Sequence, residues 1–151
     1  ASLLIQNSQL HADGHEKTPL SSCLAKAIEP DRLFACVGSH VDFCWENKDL
    51  TYRFGACLSQ EEALWNAKVK REFEEARTGL VSVGRGALAL ELDREMRDAQ
   101  DAWLTYRAAR CKSLRTVFGL VGPSAKRSLY CSMNMAAARL IELRSLGENS
   151  R

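Results

Sequence analysis

The sequence predicts an all-α fold, a disulfide-stapled bundle of antiparallel helical hairpins. Apolar residues recur at spacings of three and four through its second half. No segment alternates apolar and polar residues with the two-residue period of a half-buried strand. Six cysteines, at 23, 36, 44, 57, 111 and 131, flank the predicted helix breaks in pairs. A chain of 151 residues is one domain by length, and 46% apolar with 26% charged residues is enough to fold around a core.

Residues 1–18 are polar and weakly periodic, which predicts a flexible or weakly structured lead-in. A single helical domain then spans 19–148. Pro19-Leu20-Ser21-Ser22 has the form of a helix start, with a serine available as N-cap. That helix runs to about Ile28 and is broken by Glu29-Pro30-Asp31. A second helix is expected from Asp31 to about Asn47, and a third begins between Thr51 and Ser59. Ser59 with Glu62 three residues on matches a capping box.

From Glu61 to Leu80 the apolar stripe is Leu64, Ala67, Val69, Phe73, Ala76 and Leu80. Gly79, Gly84 and Gly86 mark a loop. The next helix, about Ala87 to Phe118, points Leu92, Met96, Ala99, Trp103, Tyr106, Ala109 or Arg110, Leu114 and Val117 inward. Gly119 to Pro123 ends it. The last helix runs from about Ser124 to Leu146, with Leu129, Met133, Ala137, Leu140 and Leu143 inward, and Gly147 stops it.

The cysteines can be read in two ways. On one continuous helix, Cys36, His40 and Cys44 share a face at i, i+4 and i+8, the spacing of a metal or redox site. Alternatively, both cysteines pair across to neighbouring helices, as in a secreted domain. A continuous helix would hold them about 12 Å apart, beyond the roughly 7 Å that a disulfide bridges. Equidistance from the breaks suggests Cys23–Cys36, Cys44–Cys57 and Cys111–Cys131, one set among fifteen possible connectivities. Each would staple one hairpin in an oxidising compartment, periplasmic or extracellular.

Charge narrows the function. The net charge of +2 is too balanced to argue for nucleic acid. No apolar run is long enough to span a bilayer. Residues 111–151, however, carry seven Lys/Arg against two Asp/Glu. Lys112, Arg115, Lys126 and Arg127 would gather around the 119–127 loop. They either complement a helix dipole or form a patch for an acidic protein partner. No H-E-x-x-H, G-x-S-x-G or P-loop pattern is present. Glu72, Glu74 and Glu75 interleave with Lys68, Lys70 and Arg71, as on a solvated helix face. His11 and His15 share a helical spacing but bring no further ligands. The reading is therefore of a non-enzyme without catalytic residues, metal or cofactor.

Residues 99–111 read Ala-Gln-Asp-Ala-Trp-Leu-Thr-Tyr-Arg-Ala-Ala-Arg-Cys. Within them, Gln100, Trp103, Tyr106, Arg107 and Cys111 form a Q-x-x-W-x-x-Y-R-x-x-x-C string. This resembles the central signature of the LprI-type lysozyme-inhibitor domain family. Cys44 and Cys57, Leu64-Trp65-Asn66, Cys131 and the stretch from Met135 to Leu146 match that pattern in order, so the resemblance covers about 44–146. Val69 and Lys70 stand where the pattern has an aromatic, and Cys23 and Cys36 are additional.

The resemblance implies a helical, disulfide-bonded, periplasmic or secreted bacterial domain. For some relatives it also implies inhibition of lysozyme. The expected partner is then a secreted hydrolase or a rival's toxin, as in an immunity role; the alternative is a structural or adaptor protein of the cell envelope. On the residues alone, the signature is a framework: Gln100, Trp103, Arg107 and Cys111 lie on successive turns of one helix face.

Overall fold

The computed structural model describes residues 17–47, 54–117 and 123–149, and within them the chain is helical with no strand. Residues 1–16 of the expected lead-in and residues 119–122 of the 119–127 loop lie outside the described residues. Among the described residues six helices follow one another: α1 Pro19–Lys26, α2 Pro30–Phe34, α3 Ser39–Glu46, α4 Phe54–Val83, α5 Ala87–Val117 and α6 Pro123–Asn149.

α4, α5 and α6 form the body. Ion pairs and hydrogen bonds set their directions. Arg77 meets Asp93 and Arg107 lies beside Glu62, so α4 and α5 are antiparallel. Gln100 meets Arg139 and Arg107 meets Ser132, so α5 and α6 are antiparallel too. α6 therefore runs parallel to α4, and Arg144 reaches Glu72 across that seam.

The core lies mainly between α4 and α6. Leu58, Trp65, Val69, Phe73 and Ala76 pack with Met133, Ala136, Ala137, Leu140 and Leu143. Leu20 and Leu24 of α1, Leu33 of α2 and Val41 of α3 complete the same cluster. Burying one such leucine is worth roughly 1.5–3 kcal/mol, so the short helices gain stability by covering the long pair. Small residues at 136 and 137 allow α6 to approach its neighbours closely.

Three disulfides fasten these parts. Cys23–Cys36 joins α1 to the turn after α2, Cys44–Cys57 joins α3 to α4, and Cys111–Cys131 joins α5 to α6. Their Cα atoms stand 5.7, 5.6 and 5.6 Å apart. All six sulfurs are paired.

Several sequence expectations are corrected. The helix expected over 31–47 is two helices. Gly38 interrupts it in the left-handed region at φ 104°, which glycine alone enters at little cost. Cys36, His40 and Cys44 therefore do not share one helical face, and both sulfurs are already bonded. Ser59 is not a cap: α4 is already under way, and the Ser59 hydroxyl donates to the carbonyl of Gly55.

At α1 the cap is Thr18 rather than a serine. Its hydroxyl accepts from the Ser21 backbone, while Ser21 reciprocates. α1 stops at Lys26, leaving Ile28 exposed. α6 passes through Gly147 to Asn149, because tertiary burial of Leu143 sustains a helix that one glycine weakens only slightly.

The inward face of α5 is also displaced. Met96, Gln100, Trp103, Arg107, Cys111 and Leu114 point toward the bundle, whereas Ala99, Tyr106, Ala109, Arg110 and Val117 are exposed. On α4, Ala67 is exposed and Trp65 takes the buried place.

Candidate functional site

The Gln-Trp-Tyr-Arg-Cys string lies on α5 where that helix crosses α4 and α6. Four of its five residues turn inward and form one network. The Gln100 side-chain oxygen accepts from Nε of Arg139 at 3.1 Å. Arg139 is also paired with Glu142 at 2.8 Å. The Trp103 ring is faced by two guanidinium groups, Arg107 at 5.2 Å and Arg139 at 5.8 Å. Such contacts strengthen as water is excluded. Arg107 donates through Nη2 to the Ser132 hydroxyl. One turn on, Cys111 is bonded to Cys131. The Gln100–Arg139, Trp103–Arg139, Arg107–Ser132 and Cys111–Cys131 contacts tie α5 to α6. Tyr106 stands apart with its ring exposed.

Arg107 is the electrostatic centre. Only 7% of it is exposed, yet its nearest carboxylate, Glu62, is 3.8 Å away. That is too long for a close hydrogen-bonded pair. Its Nε donor has no partner among the described residues. Burial lowers its pKa from the usual guanidinium range, with Glu62 opposing; the group still stays charged.

Two clefts open on either side of Arg107. One, of about 420 Å³, is lined by Glu62, Lys112, Arg115, Ser128 and Ser132 as well as Arg107. The other, of about 520 Å³, is more apolar and is lined by Val69, Phe73, Gln100, Trp103 and Leu104. Asn66, Leu104 and Arg107 belong to both.

Of the four expected patch cations, Lys112 and Arg115 line the polar cleft. Lys126 turns elsewhere, with its ammonium 4.9 Å from the Phe54 ring centre and 5.8 Å from that of Tyr130. Arg127 is exposed at the start of α6 and is not among the cleft's lining residues.

A model of the family described as Lysozyme inhibitor LprI matches residues 44–143. The chain belongs to the LprI family. Comparison with curated proteins and with solved structures finds no match. The LprI region opens at Cys44 and closes at Leu143. It holds α4, α5 and most of α6, two disulfides, the signature network and both clefts. α1, α2 and the Cys23–Cys36 bond lie before it. In this LprI member they act as a cover over one end of the α4–α6 pair, through Leu20, Leu24 and Leu33.

One residue of the LprI region escapes a reading of the sequence. Glu61 is fully buried. Its carboxylate accepts from the backbone N–H of Gly38 at 2.7 Å, Val41 at 2.8 Å and His40 at 2.9 Å. It also accepts from the Trp65 indole at 3.0 Å. The carboxylate thus caps α3 from another helix, where unpaired N–H groups and the helix dipole favour an anion. The available signal was Glu61 and Trp65 at i, i+4; nothing local named Gly38 as their target.

Proposed function

We propose that this LprI-family protein is a non-catalytic, periplasmic or secreted binding protein that inhibits a hydrolase attacking the cell envelope. The target is a lysozyme-like enzyme or a rival's secreted toxin. Family membership over residues 44–143 carries the reading. The disulfides support it, since such bonds persist in oxidising compartments, and no described helix is long and apolar enough to cross a membrane.

Inhibition works by occlusion. The disulfides and the Arg107–Trp103–Arg139 stack hold α5 rigidly, so few groups are ordered on binding. Lys112 and Arg115 at the α5 end are the cations offered to the partner. Glycoside hydrolases present paired carboxylates in their clefts, which complement these cations. With a pI of about 8.3, long-range steering favours an acidic enzyme over a basic lysozyme.

The test is titration of the oxidised protein against a panel of basic and acidic lysozymes, peptidoglycan amidases and lipases. Stoichiometric inhibition of at least one, weakened in a K112A/R115A variant, is expected. Absence of binding and inhibition across the panel overturns the reading.

The second reading, an envelope adaptor, is favoured by apolar side chains left in solvent. These are Leu90, Leu104 and Tyr106 on α5, and Phe43 and Trp45 on α3. Under that reading, Leu104→Ser and Tyr106→Ser would abolish capture of an envelope protein while inhibiting nothing.

A further inference from the structure

We infer that the polar cleft between α4, α5 and α6 is a binding site for a small oxyanion, a phosphate or a carboxylate, held between Arg107, Lys112 and Arg115. The inference shares its groove with the inhibitor reading but does not depend on it, because a small ion is sufficient to test it.

The charge balance is the first observation. Three cations line the cleft against one carboxylate, Glu62. Glu62 sits at 3.8 Å from Arg107, so it leaves that guanidinium incompletely compensated. Lys112 and Arg115 are exposed and line the same cleft.

The second observation is Arg107 itself. A guanidinium buried this deeply normally has its donors satisfied. Here Nη2 reaches only the Ser132 hydroxyl and a distant carboxylate, and Nε has no partner among the described residues. The Trp103 ring, 5.2 Å from the guanidinium carbon, packs against this arginine and helps position its fork of donors. That fork matches the two oxygens of a carboxylate or two of a phosphate.

The third observation is the lining. The hydroxyls of Ser128 and Ser132 and the amide of Asn66 supply neutral donors around the same space. The volume of about 420 Å³ admits a phosphate monoester or a peptide carboxylate together with part of what carries it. The adjoining apolar cleft, which shares Asn66 and Leu104, would receive that remainder.

The experiment is calorimetric titration of the full oxidised chain, in low-chloride buffer, with inorganic phosphate and separately with N-acetylglutamate amide. A single saturable site is expected for at least one probe. Binding should weaken about tenfold on removing either exposed cation, the loss of one charged hydrogen bond, in Lys112→Ala and in Arg115→Ala. Arg94→Ala, exposed near the other end of α5, should bind as the parent does. Preference for phosphate identifies a free phosphate or phosphate ester as the ligand class. Preference for the blocked glutamate identifies an acidic side chain of a protein.

No saturable binding of either probe overturns the inference. So does binding that survives unchanged in K112A/R115A. Neither variant disturbs the core, so loss of folding does not obscure the result. Oxyanion binding without inhibition of any hydrolase would sustain this site and remove the inhibitor reading.

Discussion

Among the described residues, Glu61 accepts more hydrogen bonds than any other side chain. Its two oxygens receive three backbone N–H groups and one indole N–H in a space closed to water. Leaving buried donors unpaired costs about 1–3 kcal/mol each. Glu61→Gln replaces one acceptor oxygen with a donor that faces other donors. It should lower unfolding free energy by about 2–4 kcal/mol in urea, with α3 losing amide-exchange protection before α4 does.

Tyr130 gives a pH signature at the same scale. Burial, then the carboxylates of Asp42 and Glu61, raises its pKa above the ordinary 10.0. The neutral phenol is therefore the form that stabilises the folded state. That contribution is complete below pH 10.0 and is lost as pH rises through the higher folded value. Denaturation midpoints measured through this range should fall less steeply for Tyr130→Phe than for the parent.

At the scale of elements, the break between α2 and α3 shows a local residue and a distant one acting together. Gly38 adopts φ 104°, and a Cβ there would meet only the Tyr130 hydroxyl at 4.0 Å. The constraint is therefore in the backbone rather than in space. Gly38→Ala should destabilise by about 1–3 kcal/mol. Gly55 lies inside α4 with open space around it. Gly55→Ala should stabilise by up to about 1 kcal/mol. Thermal melts of the two variants should shift in opposite directions.

α5 makes a complementary point about elements. Its apolar residues occupy more than one face, and periodicity alone favoured the stripe through Tyr106. Burial of Gln100 and Arg107 runs against any hydrophobicity rule. It becomes favourable only because Arg139, Ser132 and the Trp103 ring receive them.

At the scale of the molecule, α5 is fixed on the α4–α6 pair by one face only. Its contacts are largely polar, and Cys111–Cys131 supplies the covalent tie. That bond closes a separation of 20 residues, for which the chain-entropy account gives roughly 3 kcal/mol. The C111A/C131A variant should lose about 2–4 kcal/mol. Amide exchange should show α5 released while α4 and α6 stay protected at the end covered by α1–α3. Loss of the cleft between Arg107 and Lys112 would follow, so any oxyanion binding should disappear with that disulfide.

The sequence by itself determined the helical class, the length and order of the three long helices, and membership of a family whose signature it carries. These depend on periodicity, on breaks at proline and glycine, and on short strings of residues, all local in the chain. Only the tertiary structure decided which face of α5 turns inward, where α2 ends and α3 begins, and that Glu61 is a cap. It also separated Lys126 from Lys112 and Arg115. The first three of those outcomes rest on a polar group buried against a partner 21 or more residues away. Desolvation makes such a position costly until the partner arrives, and no local pattern records where the partner will come from.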